Sequence, residues 1–240
     1  MPEPVTFGTL YLVPNTLGGD FPDYVIPHGV LDRIRMLDHF IVENEKAARA
    51  FLKKAGITIL QDQLKLSVID KFDDMSQAKP FMQPLLNGHD MGLLSDAGSP
   101  AVADPGSDFV KFAHESGIKV VPLPGPSSLL LALSASGLNG QSFCFHGYLP
   151  VTKTEKIARI RWMEKESRQK KQTQIFIETP YRNNAMLADL LQTCDSKTQL
   201  CIATDITLPT EKISTMSILM WKKIKTDLHK RPTVFLLLQY

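Results

Sequence analysis

Three segments of the sequence combine small residues and prolines in a pattern typical of ligand-binding loops at strand ends. They are residues 95–106 (SDAGSPAVADPG), 121–138 (VPLPGPSSLLLALSASGL) and 177–182 (IETPYR). Each includes or follows an apolar run that predicts a strand, and in open α/β sheets ligands bind outside the carboxyl ends of the strands. Small residues there let the backbone approach a bound molecule closely. Taken alone, each segment is equally consistent with a tight strand-to-helix turn.

Four common enzyme classes lack their signatures in this chain. The sequence contains no GxxxxGK[ST] loop and no GxGxxG after its first predicted strand, which disfavours an NTPase or a standard dinucleotide enzyme. It also contains no HExxH and no GxSxG motif. The six histidines are scattered, and the three cysteines (Cys144, Cys194 and Cys201) fit no zinc spacing. We therefore expect no metal site.

Composition indicates a folded protein outside the membrane. The chain has 240 residues, of which 43% are apolar, and this is enough to bury a core. No apolar run approaches the roughly 18 residues of a membrane-spanning helix, and the first residues lack a signal-peptide layout. The net charge of +2 excludes a strongly basic, histone-like binder. We expect a cytoplasmic protein with reduced thiols and no membrane partner.

The order of the predicted elements is α/β, which indicates a mainly parallel sheet. Apolar runs predict strands at residues 9–13, 39–42, 90–94, 119–122, 143–148, 174–178, 200–204 and 233–239. Helical periodicity and stop signals predict helices at residues 30–37, 45–55, 77–88, 107–116, 129–136, 152–170 and 184–193, and within 214–228. A proline-rich connector near residue 123 divides the chain into two α/β domains in series, residues 1–122 and 123–240.

Charge is unevenly divided between the two predicted domains. Residues 1–122 hold 11 basic and 16 acidic residues, whereas residues 123–240 hold 16 basic and 9 acidic ones. Much of the basic excess lies in residues 153–171, which contain eight basic and three acidic side chains. Two interpretations stay open: a solvated helix face, or an electrostatic contact surface for an anionic substrate such as RNA.

Motifs spread over nearly the whole chain match one known family. They are residues 8–14 (GTLYLVP), 95–100 (SDAGSP), 104–106 (DPG), 120–127 (VVPLPGPS), 132–138 (ALSASGL), 145–150 (FHGYLP) and 178–182 (ETPYR). Together they resemble the tetrapyrrole methylase family, the class III S-adenosylmethionine (SAM) methyltransferases. Within it they are most similar to the branch that methylates the 2′-hydroxyl of a cytidine in small-subunit ribosomal RNA.

The resemblance implies two α/β domains, each with a central mixed or mainly parallel sheet, and a cofactor cleft between them. SAM would be held there largely by backbone groups, with S-adenosylhomocysteine as the product. The residues that the resemblance assigns to the cofactor are Leu17, Asp96, Gly98, Ser99, Val102, Ser128, Leu129, Ile177, Glu178, Pro232 and Thr233. It also implies a homodimer and a partner in ribosomal RNA or the small ribosomal subunit.

Four side chains at these loops have alternative roles. Asp96 can instead cap a helix or turn. For Ser128 the alternative is that it serves as a helix N-cap and has no cofactor role. Glu43 is our candidate catalytic base, because an unactivated ribose hydroxyl is a poor nucleophile, or it is a surface acid at a strand end. Arg182 either contacts an acceptor phosphate, which suits a guanidinium, or pairs with Glu178.

Segments expected to face the methyl acceptor depart from the family pattern. Residues 14–20 (PNTLGGD) replace the usual TPIGNLxD loop, and residues 42–46 (VENEK) keep only the first Glu of an AEDTR segment. Residues 67–75 (SVIDKFDDM) stand near the place of a missing HxHNE segment. Three functions therefore stay open: an RNA ribose methyltransferase, a methyltransferase for a tetrapyrrole-like small molecule, and a SAM-binding protein with an inactive acceptor site.

Overall fold

The computed structural model describes residues 6–60, 62–69 and 79–240. The chain divides into two compact units, Met1–Ser127 and Ser128–Tyr240. Each unit is built around its own five-stranded sheet. The boundary predicted after residue 122 coincides with the end of the last strand of the first unit, five residues before this division.

The first unit contains a fully parallel sheet in the strand order β3-β2-β4-β1-β5. Its elements are β1 (Thr9–Val13), α1 (His28–Arg35), β2 (His39–Val42), α2 (Glu45–Lys54), β3 (Lys65–Val68), α3 (Gln83–Leu86), β4 (Met91–Leu94), α4 (Ser107–Glu115) and β5 (Lys119–Pro122). Short 3-10 helices at Pro22–Tyr24 and at Lys79–Met82 also lie between these elements. Because every strand runs the same way, all five carboxyl ends meet at one edge of the sheet.

The central strands of this sheet are covered on both faces. Every residue of β2 and of β4 is buried, as expected for a parallel sheet with helices on both sides. Gly92 in β4 is required by packing, because a Cβ there would lie 2.6 Å from the ring of Phe40. At the start of α2, Asn44 accepts a hydrogen bond from the Ala47 N–H at 3.0 Å and so caps the helix.

The second unit contains a mixed sheet in the strand order β6-β7-β10-β8-β9. Its elements are α5 (Ser128–Ser136), β6 (Phe143–Tyr148), α6 (Lys153–Lys170), β7 (Thr173–Ile177), α7 (Asn183–Thr193), β8 (Gln199–Thr204), β9 (Lys212–Ser217), α8 (Ile218–Trp221) and β10 (Thr233–Leu238). Strands β6 and β7 are parallel, and the remaining neighbours are antiparallel. The stacked rings of Phe176 and Phe235 lie in its core, with centroids 5.5 Å apart.

At three places the structure differs from the sequence-based expectation. Strands β3 and β9 were not predicted, because both are edge strands that alternate polar and apolar residues instead of forming an apolar run. The helix predicted at residues 77–88 is a 3-10 turn followed by the four-residue α3, and residues 77 and 78 lie outside the described residues. Pro80 and Pro84 explain this interruption, since neither can donate a backbone hydrogen bond.

Within the described ranges, no helix is long and apolar enough to cross a membrane. Among those same residues, no group of three or more His, Cys, Asp or Glu side chains is placed to hold a metal ion. All three cysteines are free thiols, and burial raises the pKa of Cys194 and of Cys201.

Candidate functional site

The loops that follow β1 and β4 are joined by backbone and side-chain hydrogen bonds at the carboxyl edge of the first sheet. The Asn15 N–H donates to the Gly98 carbonyl at 2.8 Å, and the Gly98 N–H donates to the Thr16 carbonyl at 3.3 Å. The buried side-chain amide of Asn15 also donates to the carbonyls of Ser95 and Asp96, each at 3.0 Å. These bonds fix the backbone of the two loops relative to each other.

Gly98 brings two of the predicted cofactor residues together. Its φ of +70° lies in the left-handed region that favours glycine. A Cβ at this position would lie 3.1 Å from Cδ2 of Leu17 and 3.5 Å from the Pro126 carbonyl oxygen. The neighbouring Ser99 hydroxyl donates to the same carbonyl at 3.4 Å, which ties the β4 loop to the segment after β5. Leu17, Gly98 and Ser99 therefore lie in one tightly packed cluster of loops.

The carboxylate of Asp104 holds the rest of the β4 loop. It accepts hydrogen bonds from the Ala101 N–H, at 2.9 and 3.0 Å to its two oxygens, and from the Gly106 N–H at 2.7 Å. Ala101 and Ala103 both have positive φ, at 64° and 63°, a conformation that costs energy for a residue with a Cβ. Val102, between them, is 48% exposed. The loop thus displays Val102 on a backbone that Asp104 keeps in a strained conformation.

Glu43, at the end of β2, is half-buried beside this loop rather than free at the surface. Its carboxylate accepts a hydrogen bond from the Asp96 N–H at 3.1 Å. Burial raises the pKa of Glu43, and the negative charges of Asp104 and Asp96 raise it further. The hydrogen bond from the Asp96 N–H has the opposite effect but does not cancel the rise. Burial also raises the pKa values of Asp96 and Asp104. The structure thus places three carboxyl groups with raised pKa values at one edge of the sheet, an environment that favours a bound cation or a proton.

The Asp96 side chain is exposed and has no hydrogen-bond partner among the residues that the structure describes. The alternative that it caps a helix or turn therefore has no support in these contacts. The backbone of Asp96, by contrast, makes two hydrogen bonds. Its N–H donates to the Glu43 carboxylate, and its carbonyl accepts from the Asn15 side-chain amide.

In the second unit, the predicted residues at the ends of β7 and β10 lie close together. Ile177 pairs with Val234, so Glu178 and the Pro232–Thr233 step stand at the same end of the sheet. The Thr233 hydroxyl and the Asn183 side-chain amide both donate to the Arg231 carbonyl, at 2.9 and 2.7 Å.

Arg182 pairs with Glu178, which is one of the two roles that the sequence left open for it. Its Nη2 and Nε donate to one Glu178 oxygen at 2.6 and 3.0 Å, and Nε also meets the Thr179 hydroxyl at 3.1 Å. The Glu178 side chain is only 1% exposed, and the same oxygen accepts the Thr179 N–H at 2.7 Å. Arg182 therefore acts first as the partner of a buried carboxylate.

Ser128 and Leu129 open α5 and are both half-buried. The roles of these two residues in cofactor binding stay predictions.

Two residues that organise this edge were not among the predicted site residues. Asn15 is a buried polar side chain in the altered first loop, and Asp104 belongs to the DPG motif at residues 104–106. A buried asparagine beside a strand end is a signal for loop bridging, but its partners are about 80 residues away in sequence. That distance explains why the local pattern did not reveal its role.

Comparison with known proteins gives one consistent result. The profile of the family described as Tetrapyrrole (Corrin/Porphyrin) Methylases matches residues 25–218. Ribosomal RNA small subunit methyltransferase I of Vibrio cholerae is 33% identical over 209 residues, which cover 86% of this chain and 68% of that relative. The protein of the same name from Buchnera aphidicola subsp. Schizaphis graminum is 30% identical over 234 residues, which cover 96% of this chain and 78% of the relative.

Solved structures match the fold at lower identity. The methyltransferase CobJ has a TM-score of 0.64 and 17% identity, covering 97% of this chain and 94% of its own. The cobalt precorrin-4 methyltransferase CbiF has a TM-score of 0.61 and 13% identity, covering 96% and 94% of the two chains. These likenesses confirm the predicted fold class. Together with the profile and the sequence relatives, they establish that this chain belongs to the tetrapyrrole methylase family of methyltransferases.

Proposed function

We propose that the chain transfers the methyl group of SAM to a ribose 2′-hydroxyl of small-subunit ribosomal RNA. The observation that carries the choice of acceptor is the shared name of its relatives at 30–33% identity, ribosomal RNA small subunit methyltransferase I. The relatives span most of this chain, so the likeness is not confined to the donor-binding motifs.

The first-unit loops fit SAM as a donor. SAM carries a sulfonium and an ammonium group, and both positive charges suit the carboxyl groups of Glu43, Asp96 and Asp104, whose pKa values are raised. Small residues and fixed backbone at Gly98 and Ser99 allow close approach by a ligand. We assign donor contacts in this unit to Leu17, Asp96, Gly98, Ser99 and Val102. The second-unit assignments (Ser128, Leu129, Ile177, Glu178, Pro232 and Thr233) rest on the family motifs.

Bound SAM supplies an electrophilic methyl group on sulfur, and the protein's task is alignment and removal of one proton. The acceptor oxygen forms a bond to the methyl carbon as the sulfur–carbon bond breaks. Alignment of the two reactants accounts for much of such a rate enhancement. The hydroxyl proton passes to Glu43 in our proposal, because its raised pKa makes it a stronger base than an exposed carboxylate.

We further propose that the chain acts as a cytoplasmic homodimer. The proposal follows the family resemblance of its sequence motifs. Sedimentation of the purified protein would measure the oligomeric state directly.

Titration of SAM and S-adenosylhomocysteine by calorimetry tests donor binding. We expect micromolar affinity in the native chain and no measurable binding in Ser99→Trp, because an indole at residue 99 would displace the loop packed against Pro126. Ser196→Trp, at an exposed serine of the second unit, is the matched control and should bind normally. Failure of the native chain to bind SAM would refute the proposed donor.

Transfer of labelled methyl from SAM to three acceptors tests the reaction itself. We expect label in small ribosomal subunits that lack the modification, located on a ribose oxygen, and none in tetrapyrroles or large subunits. Label in a tetrapyrrole would instead support the small-molecule alternative. Tight SAM binding without transfer to any acceptor would show a drifted acceptor site and overturn the proposed reaction.

A further inference from the structure

Helix α6 and the edge strand β6 hold an arginine flat against a partly exposed tryptophan. The guanidinium carbon of Arg159 lies 4.1 Å from the centroid of the Trp162 ring. The imidazole of His146 meets the same indole edge-on, with centroids 5.7 Å apart and an interplanar angle of 84°. Trp162 nevertheless remains 41% exposed. A large aromatic surface is therefore left open to solvent beside a fixed positive charge.

Hydrogen bonds from the interior hold this arginine in place. His146 Nε2 lies 2.6 Å from Oε1 of the fully buried Gln174, and its Nδ1 lies 3.1 Å from Nη2 of Arg159. Because a guanidinium can only donate, Nδ1 must accept, so Nε2 carries the proton and donates to Gln174. Burial lowers the pKa of His146, and the charge of Arg159 lowers it further, so the neutral ring is favoured. The thiol of Cys144 also lies 4.0 Å from Nδ1 of this ring.

The outward face of α6 carries several exposed cations. The helix buries Lys156, which pairs with Asp189 at 2.9 Å, and Lys170 pairs with Glu166. Arg161, Lys165 and Arg168 are exposed, and in the described part of the chain none of them has an ion-pair partner. Their spacing of four and three residues places them along one side of the helix.

Resting on the proposed RNA methyltransferase function, we propose that these residues form a binding surface for single-stranded RNA. We call Arg159, Arg161, Trp162, Lys165 and Arg168 the α6 surface. Trp162 stacks on an unpaired base, and the cations bind the flanking phosphates. An exposed aromatic ring with neighbouring arginines is the combination that binds unstacked bases, whereas a duplex keeps the faces of its bases covered.

Intrinsic fluorescence gives a direct test, because the chain has only two tryptophans. Trp221 is 3% exposed and its indole N–H donates to the Leu200 carbonyl at 2.8 Å, so quenching by RNA reports Trp162. The probe is a mixed-sequence single-stranded RNA of about 12 nucleotides. We expect quenching in the native chain and none in Trp162→Phe, which keeps most of the affinity. Trp162→Ala should bind roughly tenfold more weakly.

Salt dependence tests the cations separately from the stacking. The triple variant Arg161→Gln, Lys165→Gln and Arg168→Gln should reduce the slope of log affinity against log salt by about 2, since each phosphate that is no longer neutralised reduces it by roughly 0.7. The matched control carries Lys222→Gln, Lys223→Gln and Lys225→Gln, which remove the same charge from exposed lysines after α8. This control should leave the slope nearly unchanged.

The possible outcomes separate this proposal from the proposed reaction. If the native chain methylates RNA but the Trp162→Ala and triple variants bind RNA as it does, the α6 surface is wrong and the reaction stands. If the native chain binds RNA with the expected quenching but transfers no methyl group, the surface stands and the reaction is wrong. Binding of a duplex as tightly as a single strand, without quenching, would also overturn the stacking proposal.

Discussion

Replacing Glu43 by Gln is expected to lower the methyl-transfer rate by about 10²- to 10⁴-fold, the usual contribution of a general base. Gln keeps the shape of the side chain and an oxygen that can accept the Asp96 N–H, but it cannot take the hydroxyl proton. SAM affinity should fall much less than the rate. Single-turnover kinetics with saturating SAM would measure the chemical step apart from binding.

The same substitution should leave the protein at least as stable as the native chain. Because burial raises the pKa of Glu43, the folded state favours the protonated carboxyl. The protonated group therefore contributes its whole stabilising effect at pH values below the pKa that Glu43 has in the unfolded chain. That stability is lost as the pH rises through the folded-state pKa, because the folded protein must then hold an ionised, half-buried carboxylate. The neutral amide of Gln has no such cost at pH 7. Thermal unfolding of native and Glu43→Gln protein would measure the difference.

The pH profile provides an independent check on this base. The native rate should fall as the pH drops through the raised pKa of Glu43, at a higher pH than for an exposed glutamate. This acidic limb should be absent from the residual activity of Glu43→Gln. Glu45→Gln is the matched control, since Glu45 is exposed, lies two residues away and pairs with Arg49. A Glu43→Gln enzyme with the native rate would exclude the proposed base.

Replacing Asp104 by Ala is expected to weaken SAM binding by roughly 100-fold and to lower the free energy of unfolding by about 2–4 kcal/mol. The substitution leaves the N–H groups of Ala101 and Gly106 without their carboxylate acceptor. The carboxylate then no longer holds Ala101 and Ala103 at positive φ, and the loop relaxes away from its ligand-binding conformation. Calorimetric titration and denaturant unfolding would measure the two effects.

A conservative variant distinguishes loop geometry from charge. Asp104→Asn keeps an oxygen acceptor for both N–H groups, so it should retain most of the stability. Asp108→Ala, at an exposed acid in the first turn of α4, should change SAM affinity little. If Asp104→Ala bound SAM normally, the β4 loop would have no role in holding the donor, and that part of the proposal would fail.

The parts of the fold that were predicted are those whose local pattern agrees with their environment. Buried strands such as β2 and β4 are continuous apolar runs, and α2 is an amphipathic helix with a capping asparagine. The edge strand β9 was not predicted, because its Ser and Thr residues do not form an apolar run. They lie in the sheet through the pairing of β9 with β8. A strand defined by one neighbour carries little signal in its own sequence.

Local motifs at residues 95–106 and 120–138 are specific enough to identify the family and the α/β class, and they also predict which loops form the donor site. The contacts that the side chains of those loops make became visible in the folded chain. Glu43 meets the Asp96 N–H across 53 residues, and Asn15 bridges to the β4 loop across about 80. Arg159 is oriented through His146 by the buried Gln174 of another strand. Contacts between residues far apart in the chain depend on strand order and burial, which no local pattern records.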